Sequence, residues 1–131
     1  MTRQPRPRPT NAQLALLSVL WRLGPSTVRE VHEALPPANQ RGYTTTLKQM
    51  QLMAEAGLVT RDESRRSHVY RPAVGEDETK GRLVDELLDR AFGGSAAKLV
   101  MRALSNRQAS REELAQIREL LAEMEAEEEA Q

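Results

Sequence analysis

A stripe of short polar side chains follows one face of a helix predicted for residues 43–56. At about 100° per residue from Tyr43, the helical projection places these polar residues together: Thr44, Thr45, Lys48, Gln51 and Glu55. Short hydroxyls, an amide and one cation are groups that reach base edges and phosphates without filling a DNA groove. The opposite stripe is expected to be buried and comprises Tyr43, Leu47, Met50, Ala54 and Gly57.

A basic hairpin is predicted directly after this helix. Gly57 is placed to cap the helix, and two β-prone runs, residues 58–61 and 68–71, flank a polar connection before Pro72 ends the second run. Four cations belong to this hairpin: Arg61, Arg65, Arg66 and Arg71. A helix followed at once by a basic hairpin is the order of a winged helix-turn-helix. An ordinary amphipathic helix and hairpin with solvated charges is the alternative for this segment.

The candidate DNA contacts divide by chemistry. Thr44, Thr45 and Gln51 are expected at base edges. Thr27 begins a predicted helix whose backbone N–H groups can face a phosphate. The expected phosphate-binding cations are Arg29, Lys48, Arg61, Arg65, Arg66 and Arg71. Arg65 and Arg66, at the hairpin tip, could instead enter the minor groove, and any one of these cations could be a solvated surface charge.

Helix start and stop signals place three helices before the hairpin. Capping-box patterns at Thr10 and at Thr27 each begin a helix. The first helix ends at the Gly-Pro pair of residues 24–25, and the second ends at the Pro-Pro pair of residues 36–37. The predicted organisation is a disordered basic arm over residues 1–9, which could be an inert tail, and a winged-helix DNA-binding domain over residues 10–74. The expected fold class is mainly α with a small β-hairpin.

The second half of the chain differs in charge and in pattern. Residues 1–72 hold 11 Lys and Arg against 5 Asp and Glu, a net +6, whereas residues 73–131 hold 8 against 14, a net −6. This asymmetry favours a polyanion-binding module joined to one that avoids the polyanion. The second half shows no strand signal, and residues 75–131 are expected to form a helical dimerisation domain of three helices.

Each of the three later helices is apolar on one side. Three short helices bury too little surface by themselves, and we therefore expect them to pack against a second copy of the chain. The alternative is that they fold back on the winged helix of the same chain. The residues expected at the dimer interface are Leu83, Leu87, Leu88, Phe92, Leu99, Val100, Leu114, Ile117, Leu121 and Met124.

An ordered series of short motifs resembles the penicillinase repressor family over about residues 10–124. The series comprises Trp21, the Gly-Pro at 24–25, Thr-Val-Arg-Glu-Val at 27–31, Tyr-Thr-Thr at 43–45, Ala-Gly-Leu-Val at 56–59, Val-Tyr-Arg-Pro at 69–72 and Phe-Gly-Gly-Ser at 92–95. The resemblance implies a homodimeric winged-helix repressor that binds a palindromic operator. It also implies a membrane sensor protease as a partner, because family members that control antibiotic resistance are inactivated by cleavage at an Asn-Phe bond in the fifth helix.

The chain departs from the family pattern at several positions. Thr46 stands where the family usually has an apolar residue, and Gln49 and Leu52 stand where it often has Leu and then Arg. Leu52 could contact a thymine methyl, the wing or nothing. Arg102 and Ala103 occupy the cleavage junction, so cleavage with the same specificity is unsupported. The copper-responsive branch uses C-terminal cysteines, and this chain has no cysteine, which excludes that route.

Other functional classes find little support in the sequence. His32, expected on a helix surface, and His68, at the start of a strand, have no nucleophile or paired acid that spacing can place beside them. No phosphate loop or metal-ligand motif occurs, so we expect no enzyme, no cofactor and no metal. No apolar run approaches a membrane span, and a cytoplasmic protein is expected. A ligand-responsive winged-helix regulator and a winged-helix protein–protein adaptor that never contacts DNA are the remaining alternatives.

Overall fold

The computed structural model describes residues 8–131 and contains six helices and a three-stranded sheet. The helices are α1 (Asn11–Leu23), α2 (Val28–Ala34), α3 (Tyr43–Ala56), α4 (Glu76–Ala91), α5 (Ala96–Asn106) and α6 (Arg111–Glu129). The strands are β1 (Ser26–Thr27), β2 (Val59–Asp62) and β3 (Val69–Pro72), and a single 3₁₀ turn occupies Pro37–Asn39. The mainly helical winged helix-turn-helix followed by three helices is thereby confirmed. Residues 1–7 of the predicted basic arm lie outside the described residues.

Helix boundaries follow the capping signals in the sequence. The Thr10 and Thr27 hydroxyls each accept a hydrogen bond from the backbone N–H three residues later. In return, the side chains of Gln13 and Glu30 accept hydrogen bonds from the backbone N–H groups of Thr10 and Thr27. Gly57 ends α3 in the left-handed conformation, with φ of 82° and ψ of 13°, which a residue with a Cβ adopts at a cost.

The sheet contains one strand more than the sequence predicted. Its order is β1-β3-β2, all antiparallel, with Ser26 opposite Tyr70 and Arg61 opposite Tyr70 from the other side. Two residues are too few for a period-2 pattern, so β1 leaves no sequence signal. Thr27 is both the last residue of β1 and the N-cap of α2, because the extended backbone of an N-cap is also a strand conformation.

The chain divides into two compact units, the first ending at Arg82 and the second spanning Leu83–Gln131. The core of the first unit joins α1, α2, α3 and the sheet, and its fully buried side chains are Leu17, Leu20, Val31, Met50, Met53, Leu58, Val59 and Tyr70. The Trp21 indole Nε1 donates to the Val74 carbonyl at 3.1 Å, which ties the end of α1 to the segment after the wing.

The buried face of α3 is rotated from the predicted stripe. Met50 is buried and Leu47 and Ala54 are half-buried, but Tyr43 is 37% exposed and Gly57 is also exposed. Thr46 and Met53 are buried instead. The prediction for Tyr43 was wrong because α1 and α2 pack on the Thr46 side of the helix, which a projection of α3 by itself does not contain.

The second unit contains the end of α4 together with α5 and α6. A turn at Gly93 and Gly94, both with positive φ, leads to Ser95, whose hydroxyl caps α5. Ser110 begins α6 with a third capping box. From residue 83 to residue 131 no residue is buried.

Candidate nucleic-acid interface

The outer face of α3 presents the predicted polar stripe to solvent. Thr44, Thr45, Lys48, Gln51 and Glu55 are all exposed. Leu52 is 40% exposed and, by helical spacing, lies between Lys48 and Thr45, toward one edge of the same face. An apolar side chain among short polar ones can contact a thymine methyl, so this face has both kinds of group that read a major groove.

The arginines of the wing differ in whether they have partners within the wing. Arg65, Arg66 and Arg71 are exposed. Arg61 forms an ion pair with Glu63, and a hydrogen bond to the Tyr70 hydroxyl raises the pKa of Arg61, with Glu63 adding to the same effect. The guanidinium of Arg61 is therefore held against the sheet by partners within the wing.

The turn of the wing is ordered by a local hydrogen bond. The Asp62 carboxylate accepts from the Ser64 backbone N–H at 2.9 Å, an Asx turn that reverses the chain before the tip. Hydrogen bonds from Ser64 lower the pKa of Asp62, and the charges of Arg71 and Arg65 lower it further. Asp62 thus shapes the tip that carries Arg65 and Arg66.

The start of α2 is occupied by its own capping box. The Thr27 hydroxyl accepts from the Glu30 N–H at 3.2 Å, and a Glu30 carboxylate oxygen accepts from the Thr27 N–H at 2.9 Å. The hydrogen bond from the Thr27 backbone, and after it one with the Thr27 side chain, lower the pKa of the Glu30 carboxyl. A carboxylate already lies at the positive end of this helix, which weakens the case for Thr27 as a direct phosphate contact.

Arg29 is held by an aromatic ring of the next helix. Its guanidinium lies over the Tyr43 ring, with Cζ 4.9 Å from the centroid. The His32 and Tyr43 rings also lie in a T-shaped arrangement, at a centroid distance of 5.6 Å and an interplanar angle of 85°. Tyr43, expected in the core, instead orients a cation on the surface.

One concavity brings half of the candidate contacts together. It lies between the start of α2, one flank of α3 and the wing, and has a volume of about 380 Å³. The predicted contacts that line it are Thr27, Arg29, Gln51, Arg61 and Arg66. Thr44, Thr45, Lys48, Arg65 and Arg71 do not line it, so they belong to the outer face of α3 and to other parts of the wing.

A second concavity lies on the opposite flank of α3. It has a volume of about 460 Å³ and is bounded by the start of α1, the 3₁₀ turn and α3. Its polar lining residues are Asn11, Asn39, Arg41, Thr45, Thr46 and Gln49. Among these residues, the sequence predicted only Thr45 as a DNA contact.

The family departure at position 46 is explained by a partner on α2. Thr46 is 3% exposed, and its Oγ1 lies 2.8 Å from Nδ1 of His32. His32 is half-buried, so its predicted place on the helix surface was wrong. A hydroxyl in the core is tolerated because this imidazole satisfies it.

The predicted dimer residues lie on exposed or half-exposed faces of the second unit. Leu121 and Met124 of α6 are 51% and 57% exposed, and Val100 and Leu114 are also exposed. Leu83, Leu88, Phe92, Leu99 and Ile117 are half-buried, while Leu87 is exposed. Arg102 and Ala103, at the junction that corresponds to the family cleavage site, lie within α5 and are exposed.

Comparison with known proteins agrees with this architecture. The family model described as "Penicillinase repressor" matches residues 9–123. Two curated relatives, each called "Transcriptional regulator BlaI" and from the CDC 1551 / Oshkosh and ATCC 25618 / H37Rv strains of Mycobacterium tuberculosis, are 35% identical to this chain over 114 residues. The alignments cover 86% of this chain and 81% of each relative. Within residues 8–131 no helix is long and apolar enough to cross a membrane.

Proposed function

Because this chain belongs to the penicillinase repressor family and is a DNA-binding transcriptional repressor, we propose that it acts as a homodimer on a palindromic operator. The observation that carries this proposal is the exposed face of α3, with Thr44, Lys48 and Gln51 beside an arginine-lined concavity formed with the wing. Occupying the promoter would then block transcription.

Base contacts are assigned to α3. Thr44, Thr45 and Gln51 are placed to meet base edges, because a helix of about 10–12 Å diameter fits a major groove of about 12 Å width. Leu52 lies on the same face and is suited to a thymine methyl. The operator sequence would therefore differ from one read by an arginine at this position.

Phosphate contacts are assigned to the exposed cations other than Arg61. Arg29 is oriented by Tyr43 toward the first concavity, while Lys48 lies on α3 itself. Arg65, Arg66 and Arg71 extend the same strip along the wing. Arg61 is engaged by Glu63 and Tyr70, so we assign it to shaping the concavity, and Thr27 to fixing the first turn of α2 beneath Arg29.

Dimerisation is assigned to the second unit. Residues 83–131 form three helices and bury no residue among themselves, while their apolar faces carry Leu87, Leu121 and Met124 in contact with solvent. Three short helices gain too little from burial to remain folded in this state. A second copy supplies the missing surface and sets two α3 helices at half-sites one helical turn, or a multiple of it, apart.

Selection of bound sequences from random double-stranded DNA tests the proposal. We expect an enriched palindrome, and a log–log plot of affinity against salt concentration with a slope of roughly −0.9 per phosphate contacted. Thr44→Ala with Lys48→Ala should abolish enrichment. Failure to enrich any site would support a protein–protein adaptor, and enrichment of a single unpaired half-site would contradict the homodimer.

A further inference from the structure

The concavity between α1, the 3₁₀ turn and α3 has the composition of a phosphate-facing surface. Among the described residues that line it, Arg41 carries the single charge, and none is a carboxylate. Asn11, Asn39 and Gln49 add amide groups that can donate hydrogen bonds. Apolar side chains of α1, such as Ala15 and Leu16, form the rest of its lining.

This concavity and the outer face of α3 share a residue. Thr45 is exposed beside Thr44 and also lines the concavity, so anything that contacts the outer face of α3 lies against this rim. The other flank of α3 contributes Tyr43, Leu47 and Gln51 to the concavity beside the wing. The candidate reading face thus has a polar recess along each side.

The width of the DNA major groove determines which part of the DNA each recess faces. An α-helix with side chains is about as wide as the major groove, so a helix seated there has a sugar–phosphate backbone along both of its sides. The wing-side recess accounts for one strand. The recess at Arg41 lies where the backbone of the other strand must pass.

The loop that carries Arg41 is held in place independently of the arginine. The Gln40 side-chain amide donates to the Leu35 carbonyl at 3.1 Å, and the Asn39 backbone N–H donates to the Pro36 carbonyl at 2.8 Å. Arg41 is exposed, and its Nη1 donates to the Gln40 carbonyl at 3.0 Å. Substituting Arg41 therefore removes its charge and its own bond to Gln40, but leaves the Gln40–Leu35 and Asn39–Pro36 bonds that order the loop.

From these observations we propose that the recess lined by Asn11, Asn39, Arg41 and Gln49 binds the sugar–phosphate backbone of the second DNA strand. The recess complements the wing side, so that each subunit grips both strands of its half-site. This inference rests on the proposed function, since it requires α3 to lie in the major groove. It assigns a DNA contact to the segment before α3, where the sequence indicated none.

The test compares Arg41→Gln with Arg107→Gln, a matched loss of one exposed arginine in the second unit. One phosphate contact corresponds to about an eightfold change in affinity between 1 M and 0.1 M salt. We therefore expect Arg41→Gln to weaken operator binding about eightfold per subunit at 0.1 M salt, roughly sixtyfold for a dimer, and to make the salt slope shallower by about 0.9 per subunit. Arg107→Gln should leave both quantities unchanged.

A scan with single methylphosphonate groups along both strands of the selected operator locates the contact. For the wild-type chain, we expect neutral substitutions to weaken binding on both strands that border each half-site groove. With Arg41→Gln, sensitivity on one strand should disappear while the other strand keeps it. Asn39→Ala, which removes an amide without a charge, should weaken binding with an unchanged salt slope.

The outcomes separate this inference from the proposed function. If the wild-type chain binds its operator and Arg41→Gln keeps the wild-type salt slope and methylphosphonate pattern, the recess does not bind the second strand although the repressor proposal stands. If the wild-type chain binds no DNA, the proposed function itself fails. A circular dichroism spectrum matching the wild type establishes that each variant is folded.

Discussion

At the scale of single residues, the pair formed by Thr46 and His32 separates fold from function on one helix. Three consecutive threonines follow Tyr43 in the first turn of α3, yet Thr44 and Thr45 are exposed, while Thr46 is 3% exposed and its Oγ1 lies 2.8 Å from Nδ1 of His32. The same side-chain chemistry therefore faces two environments. Thr46 fixes the packing of α2 on α3, and its neighbours are left available to DNA.

Thr46→Val tests this division. Removing the hydroxyl leaves the half-buried His32 without that partner, so we expect a loss of about 1 kcal/mol in the free energy of unfolding. Because replacing both members of a buried polar pair can be nearly neutral, His32→Leu with Thr46→Val should cost less than the sum of the single changes, by at least about 0.5 kcal/mol. Chemical denaturation of the four chains measures this coupling.

Thr44→Val is the matched control. It changes an exposed threonine on the same turn, so unfolding should shift by less than about 0.5 kcal/mol, whereas operator affinity should fall. Additive single and double changes at positions 32 and 46 would contradict the assignment of a stabilising pair.

At the scale of elements, short polar motifs decide where helices begin. Thr27 closes the capping box of α2 and also belongs to β1, so one residue joins the sheet to the helix that packs behind α3. Glu30 completes the box, and its lowered pKa shows that the charged form is favoured in the folded chain. The position of Arg29, two residues after the cap, depends on this first turn.

Glu30→Gln isolates the charge from the hydrogen bond. Gln also completes a capping box, so the fold should be kept. Because the folded-state pKa of Glu30 is depressed, its charge stabilises the fold above the unfolded-state pKa, near 4.5, and that stabilisation is lost as pH falls through the folded-state value. We expect the wild-type chain to be more stable than the variant at neutral pH, with the difference falling as the pH drops below 4.5 and lost once it is below the folded-state pKa.

Thermal unfolding of both chains between about pH 3 and pH 7, the interval over which carboxyl groups titrate, measures this difference in stability. Glu33→Gln is the control, since Glu33 is exposed on the same helix and takes no part in the box. A constant difference between wild type and Glu30→Gln at all pH values would show that the charge of Glu30 is not the stabilising group.

At the scale of the whole molecule, the two units differ in whether each has a buried core of its own. The first has a buried core of Leu, Val, Met and one Tyr, and the second buries nothing by itself. The second unit is also acidic, since residues 83–131 hold 6 Lys and Arg against 11 Asp and Glu, a net −5, so it is unsuited to contact DNA. These features together support assigning it to self-association.

Leu121→Gln is expected to dissociate the proposed dimer. Leu121 lies in the apolar seam of α6 with Leu114, Ile117 and Met124, and a polar amide there loses the gain from burial. Sedimentation equilibrium should show a shift toward monomer, and operator affinity should fall roughly a hundredfold or more because two linked half-site contacts become independent.

Glu119→Gln is the control for this change. It introduces the same side chain into the same helix, but by helical spacing on the side opposite the seam. We expect it to leave the association state unchanged. A monomeric wild-type chain, or a Leu121→Gln variant that associates as the wild type does, would contradict dimerisation through this face.

The sequence by itself determined the elements of this protein, because the signals that define them are local. Capping boxes, Gly57 and the Pro and Gly breaks fixed the start or end of most helices, and the two predicted wing strands lie within one residue of those observed. The exposed stripe of α3 was also predictable, since helical spacing needs no knowledge of the neighbours.

Only the tertiary structure decided which side of each element meets which neighbour. It buried Thr46 against His32, exposed Tyr43 beneath Arg29, and paired Ser26 with Tyr70, contacts that join residues distant in the chain. It also grouped Arg41 with Asn11 and Gln49 in one recess. The physical reason is that packing free energy depends on the shape and chemistry of the facing element, which no local pattern encodes.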